Sequence, residues 1–262
     1  MTLGFGSNAK RWSLLVAIAL IISACSTPEA PVADSEPLAP PVAVNVGPTV
    51  EELTAGLPRL DGSATVEIKV GSDVITVELD GSKAPYTAGN FVDLAQKGIY
   101  DGTIFHRVVT SPDPFVAQGG DPQSKNPNIP TSQLGTGGYI DPATGRPREI
   151  PLEILPADAD EPVYGKTFPE AQITGAPELN HRRGAIAMAR SGVNTASAQF
   201  YITLADLAFL DGNYAVFGYV TDGMDTVDNI QLGDVIGSVT VTAGADNLVQ
   251  PEGAATEAEP AE

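Results

Sequence analysis

The sequence predicts a mostly β domain, a closed barrel of seven or eight strands with two helices, flanked by segments that do not fold with it. Three observations predict it. Short runs recur along the middle of the chain in which apolar and polar residues alternate. Glycine (27) and proline (22) are abundant while aromatics make up only 6% of residues, a composition that favours many turns over a helical bundle. Only two stretches place apolar residues at helical spacing. The 262 residues suffice for one sizeable domain with appendages.

Lys10-Arg11 precede the apolar run Leu14–Ile22, which is too short to span a bilayer and sits where the hydrophobic region of a signal peptide belongs. The run leads into Ile22-Ser23-Ala24-Cys25, which resembles the lipobox of bacterial lipoproteins, where the cysteine thiol takes a diacylglyceryl group. The chain's single cysteine stands at that position. Residues 1–24 are therefore expected to be a lipoprotein signal peptide and Cys25 a lipidation site. Two or three acyl chains, at roughly 0.8 kcal/mol per buried CH₂, exceed what stable anchoring needs. From Cys25 to residue 59 a Pro/Ala-rich acidic spacer is expected: residues 26–58 hold seven prolines and five acids with no Lys or Arg, a composition too poor in apolar surface to order itself. Residues 246–262 read as a disordered acidic tail, which leaves 60–245 as the working domain.

Within that domain, Thr65–Val70 and Ile75–Leu79 alternate around the turn Gly71-Ser72-Asp73, predicting a hairpin with one buried face. Pro85 suits a first helical turn, Ala88, Phe91, Val92 and Ala95 recur on one face, and Lys97-Gly98 fit a helix end. Strand-like runs follow at 104–109, 185–189, 200–204, 215–220 and 238–242, and Met224–Leu232 forms the second predicted helix.

Phe105-His106-Arg107-Val108-Val109 followed by Phe115-Val116-Ala117-Gln118-Gly119-Gly120-Asp121 resembles the signature of the cyclophilins. Gly135–Gly138, Met188-Ala189, Asn194-Thr195, Ala198–Ile202, Phe209–Gly212 and Val216–Gly218 follow in that family's order, so the resemblance spans about 64–244. It implies an eight-stranded closed antiparallel β-barrel with two helices and peptidyl-prolyl cis–trans isomerase activity on proline-containing polypeptides, with no cofactor.

That reaction breaks no bond. Rotation about an X–Pro amide meets a barrier of about 18–20 kcal/mol, and the twisted amide regains a nitrogen lone pair that a donor can stabilise. An arginine fork keeps its proton and interacts better with the twisted than with the planar state. Even a thousandfold acceleration needs only about 4 kcal/mol of such preference, within reach of a charge-assisted hydrogen bond in a water-poor pocket. The resemblance assigns this role to Arg107, with Phe115 and Gln118 as catalytic companions; Gln118 can hold the guanidinium and meet the substrate backbone. It places Val116, Tyr201, Leu210 and Phe115 around the proline ring, and Gly135, Ala189, Arg190 and Gln199 along the preceding substrate residues. Phe209 and Tyr214 complete the expected rim.

Several positions depart from the family's habit. Val116 stands for its usual methionine, Tyr201 for phenylalanine, Arg190 for asparagine, Phe209 for a tryptophan associated with cyclosporin binding, and Tyr214 for a frequent histidine. Thr110–Pro114 lengthen the loop before Phe115. These changes motivate an alternative: a weakly catalytic, proline-binding chaperone module on a membrane anchor.

Other chemistries find little support. The formal charge of −19, with 33 acids against 14 basic residues, argues against nucleic acid. One cysteine and two distant histidines provide neither a disulfide framework nor a metal site, and no phosphate cradle or nucleophile elbow is present. His106, beside Arg107 on a strand, should point to the opposite face and pack inside; His181, next to Arg182-Arg183, reads as a surface loop residue. The Pro-rich stretch 139–180, with Glu149, Glu153, Asp158, Asp160 and Glu161, reads as a long solvated acidic loop. The expected protein is thus a monomer of the bacterial cell envelope, held to a lipid bilayer through Cys25, with its domain outside the cytoplasm.

Overall fold

A computed structural model of the chain describes residues 47–142 and 144–251. The signal peptide, Cys25, the start of the spacer and the end of the tail lie outside the described residues.

Eight strands form the main sheet: β1 (Ser63–Val70), β2 (Asp73–Asp80), β3 (Phe105–Val108), β4 (Val116–Gly119), β5 (Ala185–Met188), β6 (Phe200–Thr203), β7 (Val216–Asp222) and β8 (Ile236–Ala243). Their spatial order is β8-β1-β2-β7-β5-β6-β4-β3, antiparallel throughout. Three helices accompany them: α1 (Val50–Thr54), α2 (Pro85–Gln96) and α3 (Met224–Asn229). The predicted hairpin is there, with Val66 opposite Val77 and Ile68 opposite Ile75, all four fully buried. β4 was hidden from periodicity because it has only four residues and runs into two glycines.

The expected closed barrel is not what forms. β3 and β8 are sheet edges that form no ladder with one another; they touch at their ends through the isolated bridge Ile104↔Val235 and the backbone bonds around it, among them the Phe105 N–H to the Asp234 carbonyl at 2.9 Å and the Ile236 N–H to the Thr103 carbonyl at 2.8 Å. A four-residue β3 cannot match an eight-residue β8, and α2 packs against β8 instead. The result is an open, curled half-barrel.

Its hollow is filled by α2. Phe91 stacks on Tyr100 at 4.8 Å and meets Phe200 and Phe217 at 5.3 and 5.2 Å, in the range where aromatic pairs add to simple burial. Gly89 lets the helix lie directly on Arg59: a Cβ there would come within 2.5 Å of the Arg59 Cα. Arg59-Leu60 in turn pairs with Leu248-Val249. The carboxyl part of the expected spacer and the beginning of the expected tail are therefore ordered, as a strand pair and as α1, whose Thr49 and Glu52 form a reciprocal capping box.

Stretch 139–180 also departs from expectation. It folds through two short strand pairs, Ile140-Asp141 with Arg146-Pro147 and Glu153-Ile154 with Val163-Tyr164. Leu152, Ile154 and Phe168 make a small core of their own with Ala215. Two buried contacts fasten the segment to α2. The helix begins at Pro85 without a side-chain cap, and Glu153 supplies one from outside, accepting from the Tyr86 N–H at 3.2 Å and the Thr87 N–H at 2.8 Å. Glu153 is thus buried (1% exposed), unlike Glu149, Asp158, Asp160 and Glu161, which are exposed. Arg148 meets buried Asp93 at 2.7 Å, and Lys97 and Gln250 bond the same carboxylate. Burial alone would raise Asp93, but these bonds and the Arg148 charge outweigh it and hold the carboxyl below its ordinary value.

Candidate active site

The β3–β4 hairpin places Arg107 opposite Gln118. Arg107 points outward and is exposed; its guanidinium carbon lies 5.3 Å from the centre of the Phe115 ring, a cation–π distance, and Nη1 donates to Gln118 Oε1 at 3.4 Å. The longer loop before Phe115 leaves that residue in place because the Phe115 N–H donates to the Val109 carbonyl and the Val109 N–H to the Val116 carbonyl across its base, and the Leu204 N–H donates to the Phe115 carbonyl.

Gln118 is oriented from behind. Its Nε2 donates to Gln199 Oε1 at 3.2 Å, and Gln199 Nε2 donates to the Gly137 carbonyl at 2.7 Å. Since a carbonyl only accepts, the direction of the whole amide chain is fixed and Gln118 must present its oxygen to Arg107. Gly137 is itself held by Asp121, whose buried carboxylate accepts from the Gly135, Gly137 and Gln123 N–H groups. A side chain at 137 would run into that carboxylate, at 2.1 Å from Asp121 Oδ1, so glycine is required for this closeness. Two sequence motifs far apart in the chain are thereby one structural unit.

A cavity of about 320 Å³ opens beside Arg107, lined by Arg107, Phe115, Val116, Gln118, Ala189, Arg190, Tyr201, Leu210 and Tyr214. Every one of these was expected from the sequence. A second, of about 230 Å³, shares Gln118, Ala189 and Arg190 and adds Gly135 and Gln199. Sequence reasoning missed Thr136, Gly137, Ser191, Thr195 and Ser197 in its wall, although the Gly-Thr-Gly-Gly and Asn-Thr motifs pointed there. Phe209 lines neither cavity. It is 70% exposed and stacks on Phe115 at 6.0 Å, extending the aromatic rim. The Arg190 side chain binds the Asn213 carbonyl and lies 4.6 Å over the Tyr214 ring. A larger depression of about 590 Å³ between the β1–β2 turn and α3 is lined by Asp73, Asp225 and Asp234 among others, and by none of the motif residues; the two smaller cavities, which those residues line, are the candidate site.

The family model described as cyclophilin type peptidyl-prolyl cis-trans isomerase/CLD matches residues 65–248. The chain belongs to the cyclophilin family. It is 42% identical over 212 residues to a thylakoid lumen peptidyl-prolyl cis-trans isomerase of Synechocystis, covering 76% of this chain and 52% of that protein. To a chloroplastic peptidyl-prolyl cis-trans isomerase of Arabidopsis thaliana it is 37% identical over 221 residues, covering 77% of this chain and 47% of the relative. The chain thus spans about half the length of these two relatives. A Helicobacter pylori peptidyl-prolyl cis-trans isomerase is 35% identical over 188 residues, 71% of this chain and 91% of its own. Among solved structures, a Cryptosporidium parvum cyclophilin shares 28% identity with a TM-score of 0.51, covering 69% of this chain and 98% of its own; the same protein has been solved in the presence of the dipeptide Ala-Pro.

The histidines of this cyclophilin behave unlike the surface-loop expectation for one of them. His106 packs inside as expected, 8% exposed, and burial lowers its pKa. His181 is a correction: it is 1% exposed, with Nδ1 at 2.7 Å from Asp211 Oδ1 and Nε2 at 3.0 Å from the Tyr201 hydroxyl. Its neighbours in sequence, Arg182 and Arg183, are exposed, and they hid a ring whose own side chain turns inward. Among the described residues no cluster of His, Cys, Asp and Glu could hold a metal ion.

Proposed function

We propose that the protein is a peptidyl-prolyl cis–trans isomerase acting on exported, proline-containing polypeptides, with Arg107 as the donor to the twisting prolyl nitrogen. The observation that carries this reading is the Arg107 guanidinium 5.3 Å from the Phe115 ring at the mouth of the 320 Å³ cavity. The proline ring enters among Phe115, Val116, Tyr201 and Leu210. Gln118, braced by Gln199, holds the guanidinium where the nitrogen becomes pyramidal, and the bond strengthens as resonance is lost, so that the transition state is bound better than either ground state. The residues before proline lie along Ala189, the Arg190 backbone and Gln199. The anchor at Cys25 and the site outside the cytoplasm rest on the lipobox-like sequence and on the lumenal and chloroplastic descriptions of two relatives.

A protease-coupled assay with a proline tetrapeptide tests the catalytic reading. The described domain should accelerate exchange, and Arg107→Ala should lower kcat/KM by about a hundredfold or more, the loss of one charge-assisted bond at about 3 kcal/mol. Equal acceleration by both proteins would overturn the role of Arg107. The pinned Arg190 and exposed Phe209 favour, as a second reading, a module that binds proline peptides with little turnover. Cis–trans exchange peaks that stay unchanged on adding protein, while the peptide's shifts move, would establish it. Labelling with a radioactive fatty acid, lost in Cys25→Ser, tests the anchor.

A further inference from the structure

The family's usual phenylalanine has no polar tip to satisfy, but Tyr201 does. Its hydroxyl sits in a residue 5% exposed, at the edge of an apolar cluster with Val116, Leu207 and Val216. A buried hydroxyl without a partner is costly, and inside a pocket it would take the nearest partner available, including water or substrate. The fold provides a partner. Asp211 Oδ1 accepts from both the backbone N–H of His181, at 2.8 Å, and its ring Nδ1, at 2.7 Å. A carboxylate only accepts, so neutral His181 carries its proton on Nδ1 and turns a lone pair at Nε2 toward Tyr201, 3.0 Å away. The phenolic proton is therefore taken up behind the wall rather than in the cavity. The ring of Tyr214, with the Arg190 guanidinium above it, closes the other side of this group.

We propose that His181 and Asp211 are positioning residues of the proline socket, a relay that binds the Tyr201 hydroxyl from behind and so keeps the wall facing the proline ring apolar. The proposal rests on the isomerase reading above and deepens it, because it explains how a tyrosine works at this place. It also ties together two walls of the socket: Tyr201 belongs to β6, and Asp211 directly follows Leu210. The wall touches the proline ring equally in its planar and twisted states, so the relay acts on binding rather than on turnover.

Kinetics of four proteins test this: the parent, His181→Ala, Tyr201→Phe, and the double variant. His181→Ala should raise KM about fivefold with kcat within twofold, the size of one neutral hydrogen bond. In the Tyr201→Phe background the same substitution should leave KM within twofold of that background, since no hydroxyl is left to release. An equal rise in both backgrounds would show that His181 only fills space, and a fall in kcat at constant KM would also overturn the proposal. A substrate-free measurement stands beside the kinetics and does not depend on His181→Ala folding. Imidazole ¹⁵N shifts at pH 8 should show His181 protonated on Nδ1 in the parent and moved toward the Nε2–H form in Asp211→Asn, whose amide can donate to Nδ1. A parent already in the Nε2–H form would sink the relay. A parent that shows the Nδ1–H form but accelerates no proline peptide would leave the relay standing and remove the isomerase reading instead.

Discussion

Replacing Glu153 by alanine tests whether the 139–180 segment is structural scaffolding for the site. Glu153 accepts two α2 N–H groups at 2.8 and 3.2 Å from a position 1% exposed. Charge-assisted bonds contribute about 1.5–3 kcal/mol each, and the desolvation of a buried carboxylate offsets part of that; loss of a helix cap by itself costs about 1 kcal/mol. With two donors left facing a buried space, a net loss of about 3 kcal/mol follows. For a domain of this size each kcal/mol lowers Tm by about 2–4 °C, so thermal unfolding followed by circular dichroism at pH 7 should show a drop of about 6–12 °C. Glu153→Gln, which keeps one acceptor, should lose about half as much. The pH dependence gives a second readout with a definite sign. Burial raises the Glu153 pKa above its ordinary value of 4.5, against the bonds from Thr87, Tyr86 and Tyr164, so the folded state keeps its proton to higher pH than the unfolded one. Parent stability relative to Glu153→Gln should therefore decline as pH rises from 4.5 through the folded pKa. A Tm change below about 2 °C for Glu153→Ala would refute the cap, and parallel pH profiles for parent and glutamine variant would refute the dominance of burial over the bonds in setting the Glu153 pKa.

The other expectations are shorter. Gln199→Leu removes the acceptor that orients Gln118, and kcat/KM should fall about tenfold while the fold is retained; an unchanged value would mean that Arg107 needs no bracing. Arg148→Ala leaves Asp93 buried with fewer partners and should cost about 3 kcal/mol in urea unfolding at constant m-value, whereas a loss under about 1 kcal/mol would show the Lys97 and Gln250 bonds to be sufficient. Burial lowers the His181 pKa below 6.5 despite the Asp211 bond, so the folded state binds fewer protons than the unfolded one. Its contribution is present above pH 6.5 and is lost as pH falls through that value; between pH 7.5 and 5 the parent's Tm should drop more than that of His181→Gln, and equal drops would contradict the buried neutral ring.

Most of the lining of the candidate site was legible in the sequence because its residues travel in short motifs. Arg107, Phe115, Gln118, Tyr201 and Leu210 each sit in a run of recognisable neighbours, and all reach one cavity. What escaped were pairings between distant residues. Glu153 looked like one solvated acid among several because nothing local says that α2, 66 residues earlier, lacks a cap at Thr87. His181 looked exposed because two arginines follow it, and its partners Tyr201 and Asp211 lie 20 and 30 residues away. Barrel closure failed for a related reason: alternation identifies strands and their inner faces, but strand length at the two edges decides whether they can pair, and β3 proved too short. α1 was lost inside a compositional reading, although Thr49 and Glu52 form a capping box that a search for helix starts would have found.

The charge of the chain gives the placement of Arg107 its force. With 33 acids against 14 basic residues, carboxylates are plentiful: half-exposed Arg59 and Arg183 and largely buried Arg148 each have one within 2.8 Å. Among the described residues Arg107 has none within salt-bridge distance; its polar contact is the neutral oxygen of Gln118. In the role proposed for Arg107, a carboxylate there would hold the guanidinium equally in every state of the substrate and would compete with the prolyl nitrogen for its donors. The neutral amide orients the fork without engaging most of it. The surrounding walls meanwhile satisfy their polar groups internally, Gln199 on the Gly137 carbonyl, Arg190 on the Asn213 carbonyl and Tyr201 on His181. On the reading proposed above, these three side chains spend donors within the walls while Arg107 keeps most of its own at the mouth, a distribution that would favour a twisted amide over a planar one.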